Sequence, residues 1–129
     1  MLKKRLGIEA IERNWFYIFG NIEDYFKIPS SLTIPEGCER IGEIAFSECE
    51  KLREVTFPES VEWIGYASFS DCVGLKKVVI PESVDWITDD AFSDCYNAVV
   101  ILKKWRSEFS GIGWHAFKGC KDVKEEIRS

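Results

Sequence analysis

Apolar residues recur along most of this chain with a fixed period. Residues 64–72 read IGYASFSDC, and similar copies start at residues 41, 87 and 112. Each copy ends in a cysteine, at positions 49, 72, 95 and 120, so the spacing is 23, 23 and then 25 residues. A period of about 20 to 50 residues is typical of a solenoid, in which a single repeat buries its apolar face only against its neighbours.

Each repeat also contains an alternating segment that predicts a β-strand. Val55 and Phe57 flank Thr56, and residues 78–80 repeat this pattern, so alternate side chains face the core. A 23-residue alignment gives a core column of Leu32, Val55, Val78 and Ile101 and an outward column of Thr33, Thr56, Val79 and Leu102. Proline ends the first three strands, because it lacks the N–H that a ladder requires. We expect parallel strands stacked in register on one face, with AF-x-x-C forming a short helical or 3₁₀ turn.

The N-terminal segment, residues 1–28, lies outside this alignment. Its apolar residues are spaced as on one face of an amphipathic helix. They are Ile8, Ile11, Trp15, Ile18 and Ile22. An open solenoid needs a cap on its end coil, and we predict that residues 1–28 form a helical cap. The alternative is a degenerate first repeat with a strand at residues 15–19.

The fourth repeat departs from the pattern. Lys104 stands where the other repeats have proline, and two extra residues enter within residues 103–111. After Cys120, Glu126 and Arg128 occupy columns that are apolar elsewhere, and charged residues at core positions end a solenoid. We therefore predict a solenoid of about four coils over residues 29–123 and a C-terminal cap or tail over residues 124–129.

The repeat unit resembles that of the BspA-like leucine-rich repeat family. The resemblance is carried by the AF-x-x-C, L-x-x-V-x-I-P and S-V-x-x-I-G blocks and covers residues 30–123. It implies an α/β-type repeat solenoid, curved and right-handed, with strands lining one face. It also implies a protein that binds other molecules without catalysis. Many members of this family are long surface proteins that look like adhesins.

Composition and charge exclude several classes of function. The net charge is −5, and residues 29–129 carry 12 Lys or Arg against 18 Asp or Glu, which argues against nucleic-acid binding. The five cysteines form no CxxC pair, so we expect core thiols and no metal site. With His115 as the only histidine, no catalytic set can be assembled, and we expect no cofactor and no small-molecule substrate. The basic start lacks an apolar run, so we expect no membrane contact and a cytoplasmic location.

One column of large side chains is the strongest candidate binding site. Arg40, Trp63 and Trp86 each precede a core isoleucine, where alternation directs the side chain outward. Tryptophan and arginine are enriched at binding hot spots. Glu62 and Asp85 lie immediately beside this column and complete the predicted partner-binding set. The alternative is that both indoles lie flat over neighbouring coils or under the N-terminal cap.

A second candidate surface is the apolar end of the strand face. Val79, Val100 and Leu102 are predicted to be exposed there, and an exposed apolar end strand promotes pairing with another chain. We expect either that Trp105 folds over this patch or that the patch binds a partner. A second copy of the chain, pairing through the strand at residues 99–102, is one such partner.

Acidic residues also repeat in three columns. These are Glu36, Glu59 and Glu82; Glu39, Glu62 and Asp85; and Glu48, Asp71 and Asp94. They predict a solvated face or a surface for a basic partner. The sequence therefore favours a non-enzymatic protein-interaction module. The alternatives are a small acidic inhibitor that occupies a basic groove of another protein, as phage anti-defence proteins do, and a fragment-like relative of surface adhesins.

Overall fold

The computed structural model of this protein describes residues 30–127, which form a β-solenoid of about four turns. Five strands make one parallel sheet, here called the long-strand sheet: β1 (Ser31–Thr33), β3 (Glu54–Thr56), β5 (Lys77–Ile80), β7 (Val99–Leu102) and β9 (Asp122–Glu125). Four strands make the short-strand sheet: β2 (Arg40–Ile41), β4 (Trp63–Ile64), β6 (Trp86–Ile87) and β8 (Gly111–Ile112). Each passage of the chain through both sheets is one coil. The predicted parallel stacking of repeats is confirmed.

The short-strand sheet was absent from the prediction of a single strand face. Each of its strands has two residues, one outward and one buried, as with Trp63 and Ile64. A two-residue strand is too short to show alternation in the sequence. Its register nevertheless follows the 23-residue period, because Arg40 pairs with Trp63 and Trp63 with Trp86. The candidate binding column therefore lies on a sheet of its own.

The prediction of a helical AF-x-x-C turn is wrong. Within residues 30–127 the helical structure is a 3₁₀ segment at Arg106–Glu108, in the insertion. Two positions in each coil have a positive φ, which a right-handed helix does not allow. The N–H of Phe46 donates to the C=O of Ser68 in the next coil (2.7 Å), so the segment bonds between coils. The left-handed positions are Ile44, Ala67, Asp90 and His115 in one column and Glu48, Asp71, Asp94 and Gly119 in the other.

Aromatic rings fill the centre of the solenoid. Phe69 stacks between Phe46 and Phe92 with 5.2 Å between ring centroids on each side. All three rings are fully buried, and Phe117 extends the stack at 6.0 Å from Phe92. Stacked aromatic pairs contribute about 0.5–1.5 kcal/mol beyond the area that they bury. The outward tryptophans are not part of this buried core.

The cysteines form a second buried column, as predicted. Cys72 Sγ donates to the C=O of Phe46 (3.1 Å), and Cys95 Sγ donates to the C=O of Phe69 (3.0 Å). The contact with the Cys49 thiol, and then burial, raise the pKa of Cys72 well above the usual range. The column ends at Cys120, which is half-buried. Cys38 is also buried, at the core position that valine holds in the next two coils.

The register of the fourth coil differs from the predicted one. Val78 pairs with Val100, a step of 22 residues, whereas Trp86 pairs with Gly111, a step of 25. One residue is therefore lost before β7 and three are gained between β7 and β8. Cysteine spacing reveals only the total of two.

This shift reverses which side chains of β7 face the core. Val100 and Leu102 are fully buried, and Ile101 faces outward and is half-buried. The prediction that Val100 and Leu102 form an exposed contact patch is wrong. A one-residue slip in register moves every side chain of a strand to the opposite face.

The predicted self-association through residues 99–102 also loses its physical basis. β7 is an interior strand, hydrogen-bonded to β5 on one side and to β9 on the other. Its backbone has no free edge for a second copy. The edge strand at this end of the sheet is β9, whose exposed Asp122, Lys124 and Glu125 protect it against pairing.

The structure can be compared with the predicted boundary at the C-terminal end of the solenoid but not at the N-terminal end. β9 runs to Glu125, two residues past the expected end of the repeats at residue 123, and its Val123 is half-buried beside Val100. The predicted N-terminal cap at residues 1–28 lies outside the described residues.

Candidate functional site

The candidate column Arg40, Trp63 and Trp86 is a continuous stack on the outer face of the short-strand sheet. The guanidinium carbon of Arg40 lies 4.5 Å from the centroid of the Trp63 ring, a cation–π distance. The Trp63 and Trp86 rings follow with centroids 5.7 Å apart and planes inclined by 37°. Trp86 is 41% exposed. The structure thus brings together all three residues predicted for this column.

Gly111 explains how the stack ends. It occupies the next position of the same column and pairs with Trp86. A Cβ atom at Gly111 would clash with the six-membered ring of Trp86, so that indole lies over the glycine backbone. Each large side chain of the column is thus supported by its neighbour. The structure has features of both alternatives considered for this column. The indoles lie over neighbouring coils, and Trp86 still presents surface to solvent.

A second column runs beside the first and was missed by the sequence analysis. Glu43, Tyr66, Asp89 and Trp114 stand two residues after the core isoleucine of each coil and alternate carboxylate and ring. Tyr66 is 45% exposed and Trp114 is 70% exposed. The signal was present as the first variable position of I-G-x-x-A-F. The residue types at this position differ from coil to coil, so the period alone does not mark it as a surface column.

The two columns enclose a shallow groove of about 330 Å³. We define the aromatic groove by Glu43, Trp63, Tyr66, Trp86 and Asp89. Further residues of the third and fourth coils also line it, namely Ile87, Thr88, Gly111, Ile112 and Gly113. The groove is therefore apolar along its rings and carries two carboxylates.

Hydrogen bonds fix the second column in place. Asp89 Oδ1 accepts the N–H of Trp114 (2.8 Å), which holds this carboxylate beside the groove. The N–H of Ile44 donates to the C=O of Tyr66 (2.9 Å), and the N–H of Ala67 donates to the C=O of Asp89 (3.1 Å). These bonds between coils keep successive members of the column in register.

Glu62 and Asp85, the acidic residues predicted for the same site, do not line the groove. Asp85 instead anchors the insertion. Its Oδ2 accepts the hydroxyl of Ser110 at 2.6 Å, and its Oδ1 accepts the N–H of the same residue at 3.2 Å. The Ser110 hydroxyl is the main reason why the pKa of Asp85 lies below the usual range. Glu62 is exposed.

The remaining predicted residues lie elsewhere. Val79 is half-buried on the outer face of the long-strand sheet, where it pairs with Ile101. Trp105 is 52% exposed in the insertion, and its backbone N–H donates to Glu108 Oε2 (2.9 Å). Neither residue lines the aromatic groove.

His115 stacks on Trp114 with centroids 3.4 Å apart, and the thiol column is buried. Within residues 30–127 no group of three or more His, Cys, Asp or Glu could hold a metal ion. No helix in that range is long and apolar enough to cross a membrane. What the arrangement provides is a preformed surface of rings and carboxylates.

Comparison with a solved structure supports the fold. The chain is similar to a leucine-rich repeat protein from Bacteroides ovatus ATCC 8483, with 28% identity and a TM-score of 0.64 over 74% of this chain and 30% of that one. It also matches a leucine rich cell surface protein from Faecalibacterium prausnitzii A2-165, with 23% identity and a TM-score of 0.47 over 75% of this chain and 32% of that one. The chain thus spans about a third of the length of these proteins.

Comparison with curated proteins gave no match. The family model of the BspA type leucine-rich repeat region matches residues 9–128 in six copies. The match begins at residue 9, inside the N-terminal segment 1–28 that is predicted to form a helical cap or, alternatively, a degenerate first repeat. It covers nearly the whole chain and rests on the same repeat that forms the coils. The protein therefore belongs to the BspA-type leucine-rich repeat family.

Proposed function

We propose that this protein is a non-enzymatic module that binds another protein through the aromatic groove. The observation that carries the proposal is the stacked Trp63–Trp86 pair on the outer face of the short-strand sheet, outside the buried core. Large rings that add nothing to the core remain available for a partner. Such rings dominate the energy of many protein interfaces.

The geometry of the groove supports a protein partner. The groove is shallow and open along the outer face of a sheet, which suits a surface contact better than the enclosure of a small molecule. Its rings are held by neighbouring coils, so little side-chain freedom is lost on binding. A central aromatic cluster with polar groups around it is the usual anatomy of an interface.

A second candidate function is an acidic inhibitor that occupies a basic groove of its partner. Its support is the exposure of the column Glu36, Glu59 and Glu82 at the turns after the long strands. These three residues lie outside the aromatic groove. The two candidate functions therefore predict that binding is sensitive to substitution at different residues. The cytoplasmic location expected from the sequence remains a proposal.

The test is affinity capture followed by titration of the captured partner. The variant Trp63→Ala/Trp86→Ala is compared with wild type and with Tyr96→Ala, which removes an exposed ring outside the groove. Native circular dichroism is required of each variant. We expect the double variant to weaken binding by roughly thirtyfold or more, as for hot-spot residues, and Tyr96→Ala to bind like wild type.

Other outcomes would redirect the proposal. Equal loss in the double variant and in Tyr96→Ala would contradict a specific role for the groove. Loss of the partner on Glu36→Gln/Glu59→Gln/Glu82→Gln, with the tryptophan variant unaffected, would replace the groove with the acidic column as the contact surface.

A further inference from the structure

The alternation of carboxylates and rings along the groove indicates which conformation and charge a bound peptide segment would have. We propose that the aromatic groove binds an extended polyproline II segment of a partner that bears two basic side chains three residues apart. This inference rests on the proposed function. In this arrangement one basic side chain meets Glu43 and the other meets Asp89. The residues between them lie on Tyr66, Trp63 and Trp86.

The spacing of the two carboxylates carries this inference. Glu43 and Asp89 are two coils apart in one column, and the bonds between coils keep that column in register. Parallel strands lie about 4.8 Å apart, so the two positions are about 9.6 Å apart along the solenoid. Three residues of a polyproline II helix advance about 9.3 Å and return to the same face.

A β-strand ligand fits the same spacing poorly. Side chains on one face of a strand recur every two residues, which is about 6.8 Å. The nearest strand repeats therefore fall short of the carboxylate spacing or exceed it. Polyproline II segments, moreover, are usually recognised in grooves lined by aromatic side chains.

The charges and rings of the groove explain why the anchors are basic. Both carboxylates line the groove together with the rings of Trp63, Tyr66 and Trp86. A cation bound there can combine an ion pair with a cation–π contact. The chain itself shows that these rings accept a guanidinium, because Arg40 lies 4.5 Å from the Trp63 centroid. Asp89 is already oriented by the N–H of Trp114, so it is positioned before a ligand arrives.

The test measures fluorescence anisotropy with labelled peptides of matched composition. The probe PRPPRP places its arginines three residues apart, PRPRPP places them two apart, and PEPPEP reverses the charge. We expect PRPPRP to bind roughly threefold or more tighter than PRPRPP, the worth of one exposed cationic contact, and PEPPEP not to bind. Equal binding of the two arginine peptides, or binding of PEPPEP, would overturn the inference.

Two protein variants with the same change in net charge provide the control. Glu43→Gln removes a carboxylate of the groove, whereas Glu50→Gln removes an exposed carboxylate of the same coil outside it. We expect Glu43→Gln alone to weaken PRPPRP binding and to abolish the preference over PRPRPP. An equal effect of both variants would mean that general charge attraction, and not the groove, binds the peptide.

The failure of this inference is distinguishable from that of the proposed function. A partner that is lost in Trp63→Ala/Trp86→Ala while PRPPRP shows no preference would leave the groove as the interface and exclude the basic segment. Unchanged binding of both the partner and PRPPRP in the tryptophan variant would exclude the groove itself.

Discussion

Left-handed backbone positions explain two residues of one acidic column. Asp71 has a φ of 58° and Asp94 a φ of 61°, and the equivalent position in the fourth coil is Gly119, with a φ of 82°. Aspartate and glycine are among the residues that tolerate this conformation, because a short polar side chain bonds locally and glycine has no Cβ. The column was interpreted from the sequence as a solvated or partner-binding face. Backbone geometry is a sufficient reason for Asp71 and Asp94, but not for Glu48, which has a φ of 62° at the same position of the first coil.

Substitutions at Asp71 separate backbone geometry from charge. We expect Asp71→Val to lower the free energy of unfolding by about 1–2 kcal/mol, since a β-branched residue is strained at positive φ. Asp71→Asn should change it little, because asparagine tolerates the same conformation without the charge. Chemical denaturation at neutral pH measures both. A loss in Asp71→Asn as large as that in Asp71→Val would show that the carboxylate itself stabilises the turn.

Residues of the groove show the same dependence on neighbours. Trp86 can lie flat because Gly111 leaves room for its ring. The outward direction of both tryptophans was predictable from their place before a core isoleucine. Their contact with each other and with Arg40 was suggested by the period of 23, which places equivalent residues side by side.

At the scale of elements, the cysteine column behaves as one buried unit. Cys72 and Cys95 donate to carbonyls of the preceding coil, and both thiols are fully buried. The pKa of Cys72 is raised first by the Cys49 thiol and then by burial, so the folded chain keeps this thiol neutral. In the unfolded chain a thiol ionises near its ordinary pKa of about 8.5.

This difference predicts a loss of stability at alkaline pH. The stabilisation is fully present below the unfolded pKa and is lost as the pH rises above it, because the unfolded chain then releases protons that the folded chain keeps. By about pH 10 the loss is about 2 kcal/mol for a buried thiol. Urea unfolding under reducing conditions at several pH values measures it.

Cys72→Ala supplies the control for that measurement. It removes one buried thiol, so its stability should fall less steeply between about pH 8 and pH 10 than that of wild type. The comparison concerns the slope, and a lower starting stability does not affect it. Parallel slopes for the two proteins would show that other groups cause the alkaline loss.

At the scale of the whole molecule, stacked coils repeat charge as faithfully as they repeat the core. The net charge is −5, and the exposed column Glu36, Glu59 and Glu82 places like charges on successive coils. Unit charges about 4.8 Å apart repel by roughly 0.9 kcal/mol in water. The solenoid therefore carries a repulsion that a less regular fold would avoid.

Screening should relieve this repulsion. We expect the Tm to rise between about 10 mM and 300 mM NaCl, since the Debye length falls from about 30 Å to about 6 Å and the repulsion among the acidic residues is increasingly screened. Glu59→Gln removes the central charge of the column, so it should have a higher Tm at low salt and a smaller rise. Thermal scans monitored by circular dichroism test both. A Tm that falls with added salt would indicate net attraction among the surface charges.

The sequence by itself determined the family, the parallel stacking of coils and the position of the Arg40–Trp63–Trp86 column. It could do so because each coil contacts its neighbours in the same way, so one period defines both the core and the register of the outward columns. Features that repeat with the period of 23 residues can therefore be predicted from the sequence.

Only the tertiary structure decided what the period does not encode. The alternation of side chains in a strand depends on register, and the loss of one residue before β7 placed Val100 and Leu102 in the core. The positive φ values that replaced the expected helix leave only a weak trace in residue type. The aromatic groove, likewise, forms because two columns of outward side chains lie next to each other in the folded chain. The sequence period places residues within a column but does not show how deep the surface between two columns is.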